Sequence, residues 1–361
     1  MNLNDNEKKV LAILRRDPYI SQQALADKIN VSRPATANLI SGLQQKGYIL
    51  GKPYVLREEN YITCIGGANM DVTFRLEDGM TLGTSNPVNA SRSYGGVIRN
   101  VAENLARLEQ KVSLMTLVGD DVFGQDIINN SSRLMETFAS EKRQHESTGS
   151  YYAVIDDKGD MQVGFADMTI NHHMTRSWIL EHKKHLLMSS YMVADMNITL
   201  EASKAIIAFQ RSSNIPLAFV GVSAPKMKHL PEDIDGLDLL ICNKDETQAY
   251  FKVTEDRGDL LCRMWLDKGV KRVVVTSGVD GSYYGENGIV KHQKAILVDK
   301  DRIVDVTGAG DAFSSGTIYG ITQDMSLEES VRCGAKNASL TIQVPYAVNP
   351  ELSIDLLNKG E

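Results

Sequence analysis

The run Asp305-Val306-Thr307-Gly308-Ala309-Gly310-Asp311-Ala312-Phe313-Ser314-Ser315-Gly316 places three small residues directly before a helical pattern. Amides at such a start can converge on an anion, because the first turn of a helix leaves its N–H groups without intrahelical acceptors. Asp311 lies at the same start, where the positive end of the helix favours an ionised carboxylate. A carboxylate beside an anion hole is the pair that phosphoryl transfer to an alcohol requires. One takes the hydroxyl proton and the other stabilises charge on the transferred group. No Gly-x-x-x-x-Gly-Lys-[Ser/Thr] occurs in the chain, which excludes a P-loop enzyme. On its residues alone, the run is equally well a helix with a glycine-rich beginning.

Outward from this run, apolar stretches alternate with helical patterns from Tyr61 onward. Strands are predicted over 61–65, 112–118, 186–189, 217–220, 237–241 and 272–276, and helices over 98–108, 200–211, 260–268, 312–321 and 327–343. In the first of these helices Ile98, Val101, Leu105 and Leu108 share a face. This alternation predicts an α/β fold with a mostly parallel sheet covered by helices, and a ligand site beyond the carboxyl ends of its strands. Two stretches break the rhythm: polar, turn-rich 72–94, and 148–168, which reads as a hairpin turning at Lys158-Gly159. Together they predict a small β-sheet lid.

The 361 residues are 42% hydrophobic and 24% charged, a composition that excludes general disorder. No stretch reaches the about 18 apolar residues of a membrane span. Cys64, Cys242, Cys262 and Cys333 form no CxxC pair, so buried thiols in a reducing compartment are expected, not a disulfide or zinc framework. MNLNDNEKKV has no apolar signal core, and a cytoplasmic location with no membrane partner is expected.

The net charge of −7 is uneven, since residues 1–57 carry nine Lys/Arg against four Asp/Glu. A basic head on an acidic body predicts two modules, 1–57 and 61–361, joined by the short polar junction 58–60. Helices are predicted over 6–16 and 21–29. A third, capped by Ser32 with Pro34 in its first turn, is predicted to end at Gly47, and 48–56 to form a hairpin wing. QQALADKINVSRPATANLISGLQQKGYI resembles the winged helix-turn-helix of bacterial transcription regulators. That resemblance implies that Ser32, Arg33, Ala35, Thr36 and Asn38 meet base edges in DNA, while surrounding cations contact phosphates. A palindromic site would suit a homodimer. A three-helix module for protein contacts is the alternative.

The segment 305–316 resembles the C-terminal signature of the ribokinase-like (PfkB-type) carbohydrate and nucleoside kinases, and the similarity extends over roughly 61–350. The resemblance implies a Rossmann-like ribokinase fold with a small β lid, and ATP and Mg²⁺ as cofactors. It implies Asp311 as general base and an anion hole at Gly308, Ala309 and Gly310. It further implies that Asn69 and Asp71 in Ile65-Gly-Gly-Ala-Asn69-Met-Asp71, together with Gly95, Gly96 and Asn100, hold the acceptor. Asn243 and Glu246 would organise phosphates and water-bound Mg²⁺. Thr276, Ser277, Gly278, Gly281 and Asn337 would contact the nucleotide, and Asp305 and Thr307 a monovalent cation such as potassium. Ile98 and Glu109 depart from the family pattern, the first near the expected sugar pocket and the second at a helix end.

Within the family, IGGANMD (65–71), TSNP (84–87), GGVIRNVAENLARL (95–108), TGSYYAVIDDKGD (148–160) and ADM (166–168) resemble the pseudouridine kinases, and Asp195 and Asn197 also fit. This implies transfer from ATP to the 5′-hydroxyl of pseudouridine, with Thr148, Tyr151 and Asp167 of the lid holding the nucleoside. Lys226 is a candidate for approaching a phosphate. The alternatives are another nucleoside or a free sugar as acceptor, or a nucleoside-sensing transcription regulator with a kinase-like body.

Overall fold

The computed structural model describes residues 3–17, 20–51, 55–56, 61–77, 79–156 and 159–359. The expected junction 58–60 and Lys158 of the expected lid turn lie outside the described residues.

The basic N-terminal segment forms α1 (Asp5–Arg16), α2 (Gln22–Ile29) and α3 (Arg33–Gln45), followed by β1 (Ile49–Gly51) paired antiparallel with β2 (Val55–Leu56). Each helix starts where a short polar side chain accepts from a first-turn amide: Asn4 from Glu7, Ser21 from Ala24 and Ser32 from Ala35. Asn30, at φ 53°, ends α2 in the left-handed conformation that asparagine tolerates. Val10, Leu14, Leu25, Ile40 and Leu43 close a hydrophobic core of their own.

Beyond residue 60 the chain runs through β3 (Tyr61–Ile65), β4 (Asn69–Leu76), β5 (Val88–Gly95), α4 (Val97–Arg107), β6 (Val112–Met115), β7 (Leu117–Gly119), α5 (Val122–Ser131) and β8 (Glu141–Arg143). It continues through β9 (Ser150–Ile155), β10 (Met161–Asp167), α6 (Arg176–Glu181), α7 (Lys183–Leu186), β11 (Ser189–Asp195), α8 (Leu200–Ser213), β12 (Leu217–Val220) and β13 (Leu239–Asn243). The order ends with α9 (Lys244–Phe251), α10 (Gly258–Asp267), β14 (Arg272–Thr276), β15 (Ser282–Glu286), β16 (Ile289–Gln293), α11 (Ala309–Thr322), α12 (Leu327–Thr341) and α13 (Ile354–Asn358).

Eight strands form the main sheet in the order β16-β15-β14-β13-β12-β11-β3-β6. Pairing is parallel from β14 to β6 and antiparallel at the β15 and β16 edge. Side chains alternate between two layers, as period-2 strands buried on both faces must. Met192, Ala194, Leu217, Phe219, Leu240 and Val273 pack with Trp178, Ile206 and Trp265. Val193, Ala218, Leu239, Ile241 and Val274 pack with Ile98, Leu105, Phe313 and Val331 on the other side. The first strand, β3, lies between β6 and β11, so the strand order reverses there and opens a crevice at the carboxyl ends.

A second sheet, β10-β9-β4-β5, is the lid. It includes the two segments that interrupt the rhythm of the sequence, but β4 starts at Asn69, so the lid also contains Asn69, Met70 and Asp71, ahead of the segment expected to begin at 72. Three strand predictions shift, the one over 237–241 by two residues, to Leu239–Asn243. The stretch 112–118 breaks at Thr116 into β6 and β7, which belong to different sheets. Leu186 ends α7, and the strand expected over 186–189 runs instead from Ser189 to Asp195. None of the four cysteines is in a disulfide, and burial pushes the Cys64, Cys242 and Cys262 thiols up.

Glu109 follows α4 at φ 59°, its amide donating to the Ala106 carbonyl (3.0 Å). A side chain in the left-handed region is strained where glycine is not. Glu109→Gly is therefore expected to raise stability by about 0.5 kcal/mol, read as a higher urea midpoint at unchanged slope.

Candidate active site

The crevice is built from the carboxyl ends of β3, β11, β12, β13 and β14 and from the start of α11. Asp195, the last residue of β11, is fully buried and organises its centre. Its carboxylate accepts from the Gly67 amide (3.2 Å), the Ile98 amide (3.2 Å), the Asn197 amide (2.9 Å) and Asn197 Nδ2 (2.8 Å). A Cβ at Gly66 would run into this carboxylate, which explains a glycine there. One side chain thus ties together the turn after β3, the first turn of α4 and the end of β11. Burial pushes its pKa up to about 6, and the four donors hold it from rising further.

On the lid side, Asn69 and Asp71 project from β4, and Asn69 Nδ2 donates to Asp71 Oδ1 (2.5 Å). Gly95 faces them across the ladder, opposite Asn69. Any Cβ at Gly95 would collide with Asp71 Oδ2, so glycine there is a requirement of the carboxylate's position. Gly96, at φ 99°, brings the backbone against the Gly67 carbonyl and opens α4. From α4, Asn100 Nδ2 donates to Asp311 Oδ2 (2.8 Å). The structure therefore brings Asn69, Asp71, Gly95, Gly96, Asn100 and Asp311 into one site.

Asp311 occupies the first turn of α11, as expected, but the helix end does not hold its carboxyl low. Desolvation pushes the pKa up to about 7, against the Asn100 hydrogen bond, and the nearby charges of Asp195, Asp71 and Glu246 add to the rise. Gly308 caps the helix at φ 78°, packed so closely on the Ala347 carbonyl that a Cβ has no room. The Ala309 amide closes a turn onto the Val306 carbonyl (3.2 Å), which removes it from the expected anion hole. The amides of Gly310 and Asp311 have no acceptor among the described residues and point out of the helix start, free for an anion.

Asn243 caps α9 in a reciprocal box with Glu246: the Glu246 amide donates to Asn243 Oδ1 and the Asn243 amide to Glu246 Oε2, each at 2.8 Å. Gly221 at the end of β12 leaves the space that the Glu246 carboxylate occupies. Thr276 is in register with Asn243, and residues 277–281 turn tightly behind it, with Ser277 donating to Gly281 (2.8 Å). Asp71, Asp195, Glu246 and Asp311 all have raised pKa values, chiefly through burial. Among the described residues no three His, Cys, Asp or Glu side chains are grouped so as to hold a metal ion directly, so a divalent cation here would meet Glu246 through its own waters. Asp305 and Thr307 form an exposed Asx turn, Thr307 N to Asp305 Oδ1 (2.9 Å), not a closed cage of oxygens for a monovalent ion.

Several expected contacts are corrected. Asn337 is fully buried between helices, with Nδ2 donating to Asn104 Oδ1 (3.0 Å), the Ala312 carbonyl (2.9 Å) and Ser315 Oγ (3.1 Å), so it joins α4, α11 and α12 and does not meet a nucleotide. Thr148 is buried, its hydroxyl donating to Asp121 Oδ1 (2.6 Å) and accepting from the Gly119 amide (2.9 Å), which fixes the start of α5. Asp167 pairs with Ser150, itself in register with Met70, so it lies on the lid face opposite Asp71, where it accepts from Thr169. Tyr151 pairs with Asp71 and shares its face. Ile98 is buried in the helix–sheet core; only its amide faces the site, toward Asp195. In the N-terminal module Thr36 is fully buried, donating to the Ser32 carbonyl (3.2 Å), and cannot read a base, whereas Ser32, Arg33 and Asn38 are exposed on α3.

Residues 3–49 match the winged helix-turn-helix DNA-binding family. Among curated proteins the chain is similar to the pseudouridine kinase of Escherichia coli (strain K12), 30% identical over 305 residues that cover 83% of this chain and 96% of that one. It is also similar to the uncharacterized sugar kinase YeiI of the same organism, 28% identical over 357 residues and 98% of both chains. Among solved structures, a carbohydrate kinase from Agrobacterium tumefaciens superposes with a TM-score of 0.73 at 26% identity, over 82% of this chain and 95% of that one. No helix among the described residues is long and apolar enough to cross a membrane. Residues 59–354 match the pfkB carbohydrate kinases, and the chain belongs to that family.

Proposed function

We propose that this protein is a pseudouridine kinase carrying a DNA-binding module, with residues 1–57 and 61–361 as its two domains. The observation that carries the reaction is Asp311 at the start of α11, beside outward-pointing amides and in hydrogen-bond contact with Asn100. Asp71 and Asn69 grip acceptor hydroxyls from the lid, and Tyr151, on the same face as Asp71, supplies a ring for the base to stack on. Asp311 removes the proton of the 5′-hydroxyl as its oxygen bonds to the γ-phosphorus of ATP. The bond from that phosphorus to the β–γ bridging oxygen breaks, and ADP leaves with the electron pair. The amides of Gly310 and Asp311 stabilise the charge on the transferred group. Glu246 would hold a Mg²⁺ ion through its waters, and the ion would supply charge neutralisation of the phosphates. Asn243, Thr276, Ser277, Gly278 and Gly281 shape the floor for the nucleotide. The similarity to the Escherichia coli pseudouridine kinase and the sequence stretches shared with that group support the choice of acceptor.

Arg33 and Asn38 on the exposed face of α3, with Ser32 at its cap, are the base-reading candidates, in a cytoplasmic protein that pairs as a homodimer on palindromic DNA.

The test is coupled ADP release with Mg-ATP against pseudouridine, uridine, cytidine, inosine and ribose. A kcat/KM for pseudouridine at least about tenfold above every other acceptor is expected, because a site built to hydrogen-bond a particular edge rejects analogues that lack it. Preference for another nucleoside or for ribose would keep the kinase and replace the acceptor. No turnover on any of them would favour a nucleoside sensor.

A further inference from the structure

Arg99 is 3% exposed, in the first turn of α4, and none of the roles above uses it. A cation is poorly placed at the positive start of a helix and costly to bury, so its retention there calls for a reason. Its Nη2 donates to the Glu103 carboxylate and to Asn130 Oδ1 (2.8 Å). Its Nη1 donates to the Tyr94 carbonyl (3.3 Å) and to Asn100 Oδ1 (3.2 Å). The Tyr94 ring lies 5.2 Å from the guanidinium carbon. Glu103 is shared with Arg107, at 2.7 Å and 3.0 Å.

The contact with Asn100 has a chemical consequence. A side-chain amide has a donor end and an acceptor end, and its direction is ordinarily open to either assignment. Here both neighbours dictate it. A guanidinium only donates, so the Asn100 oxygen must face Arg99. The NH₂ end is then left to face Asp311 Oδ2, to which it donates at 2.8 Å. With the guanidinium gone, the amide is free to turn and present its oxygen to Asp311. A carboxyl facing an oxygen is favoured in its protonated form, which donates and can no longer take a proton from an alcohol.

We propose that Arg99 is a positioning residue for Asp311: through Asn100 it keeps an N–H donor against Oδ2, so that the carboxylate remains an acceptor and Oδ1 is left for the incoming hydroxyl. The inference rests on Asp311 being the base. The charges acting on Asp311 are those of Asp195, Asp71 and Glu246, all of which favour protonation, and the Asn100 hydrogen bond is what opposes them. Arg107 remains to pair Glu103 when Arg99 is replaced, so the substitution does not orphan a buried carboxylate.

The experiment is a ¹³C NMR titration of protein labelled at aspartate Cγ, with the Asp311 signal assigned by its loss in Asp311→Asn. Arg99→Gln, whose own amide can both donate and accept, is expected to raise the Asp311 midpoint by about one pH unit, a tenfold change in proton affinity. The acid limb of kcat moves by the same amount and the plateau recovers at high pH. Arg99→Lys keeps a donor-only group and is expected to stay near the wild-type midpoint. Asn100→Leu breaks the relay at its centre and serves as a second variant should Arg99→Gln not fold. An unmoved midpoint in the variants that fold, or a kcat lowered by one factor at every pH, would overturn the proposal. A moved midpoint in a protein that phosphorylates no acceptor would keep the relay and remove the kinase reading.

Discussion

Asp311→Asn is expected to lower kcat by about 1,000-fold while leaving the fold intact. Asparagine keeps the shape of the side chain and loses the ability to take a proton. The wild-type enzyme is expected to show an acid limb centred near pH 7, because burial and the charges of Asp195, Asp71 and Glu246 push the Asp311 carboxyl up to about 7. Below that value kcat/KM falls tenfold per pH unit, and the residual activity of the variant is flat. The same shift predicts an effect on stability of opposite sign. The folded state holds this proton more tightly than the unfolded chain does. The stabilisation is therefore complete below the ordinary carboxylate pKa near 4 and is lost as pH rises through about 7. At pH 8 Asp311→Asn should be more stable than wild type by about 2 kcal/mol, with solvent screening at the partly exposed carboxyl reducing the full linkage value; at pH 4 the two should melt alike. A variant that keeps a tenth of wild-type turnover would exclude Asp311 as the base.

The largest stability loss is expected from Asp195→Ala, at about 4 kcal/mol, seen as a fall in Tm of about 10 °C. The substitution strands the Gly67, Ile98 and Asn197 amides and the Asn197 side chain, four donors that all turn to one carboxylate. Each unsatisfied buried donor costs about 1–3 kcal/mol, and relief from burying a carboxylate whose pKa has risen to about 6 offsets part of the sum. Affinity for the acceptor should fall as well, because the turn at Gly67 and the first turn of α4 lead to Asn69, Asp71 and Asn100, the residues proposed to meet it. A Tm within 2 °C of wild type by calorimetry would show that water replaces the carboxylate and that the node organises nothing.

The parallel body was legible because its strands are short apolar runs buried on both faces, and strands such as Leu217–Val220 and Arg272–Thr276 stand where periodicity puts them. The helix start at Gly308 and Asp311 was legible because small residues before a helical pattern admit few readings. The lid edge was not, since β5 reads Val-Asn-Ala-Ser-Arg-Ser-Tyr-Gly and is largely exposed, with no apolar alternation to mark it. The strand predicted at 186–189 slipped because Leu186 and Leu187 are as apolar at a helix end as in a sheet. Side-chain direction was the main gap within the site. Thr148 and Asn337 stand at the expected places in the order, yet each is turned toward a partner far along the chain, and Asp167 falls on the lid face opposite Asp71. The central role of Asp195 was out of reach for the same reason, because its donors come from residues 67, 98 and 197 and meet only in the fold.

The route from β3 to β4 crosses from body to lid within three residues, so Asp71 rides on the lid while Asp311 is fixed to the body. In the proposed reaction, the carboxylate that grips the acceptor and the base that activates it thus belong to different parts, a lid strand and a body helix. For anyone re-engineering the acceptor, the lid is no detachable part: its strands come from two separate stretches of chain, and the Tyr94 carbonyl of β5 holds Arg99 and, through it, the Asn100 contact with Asp311.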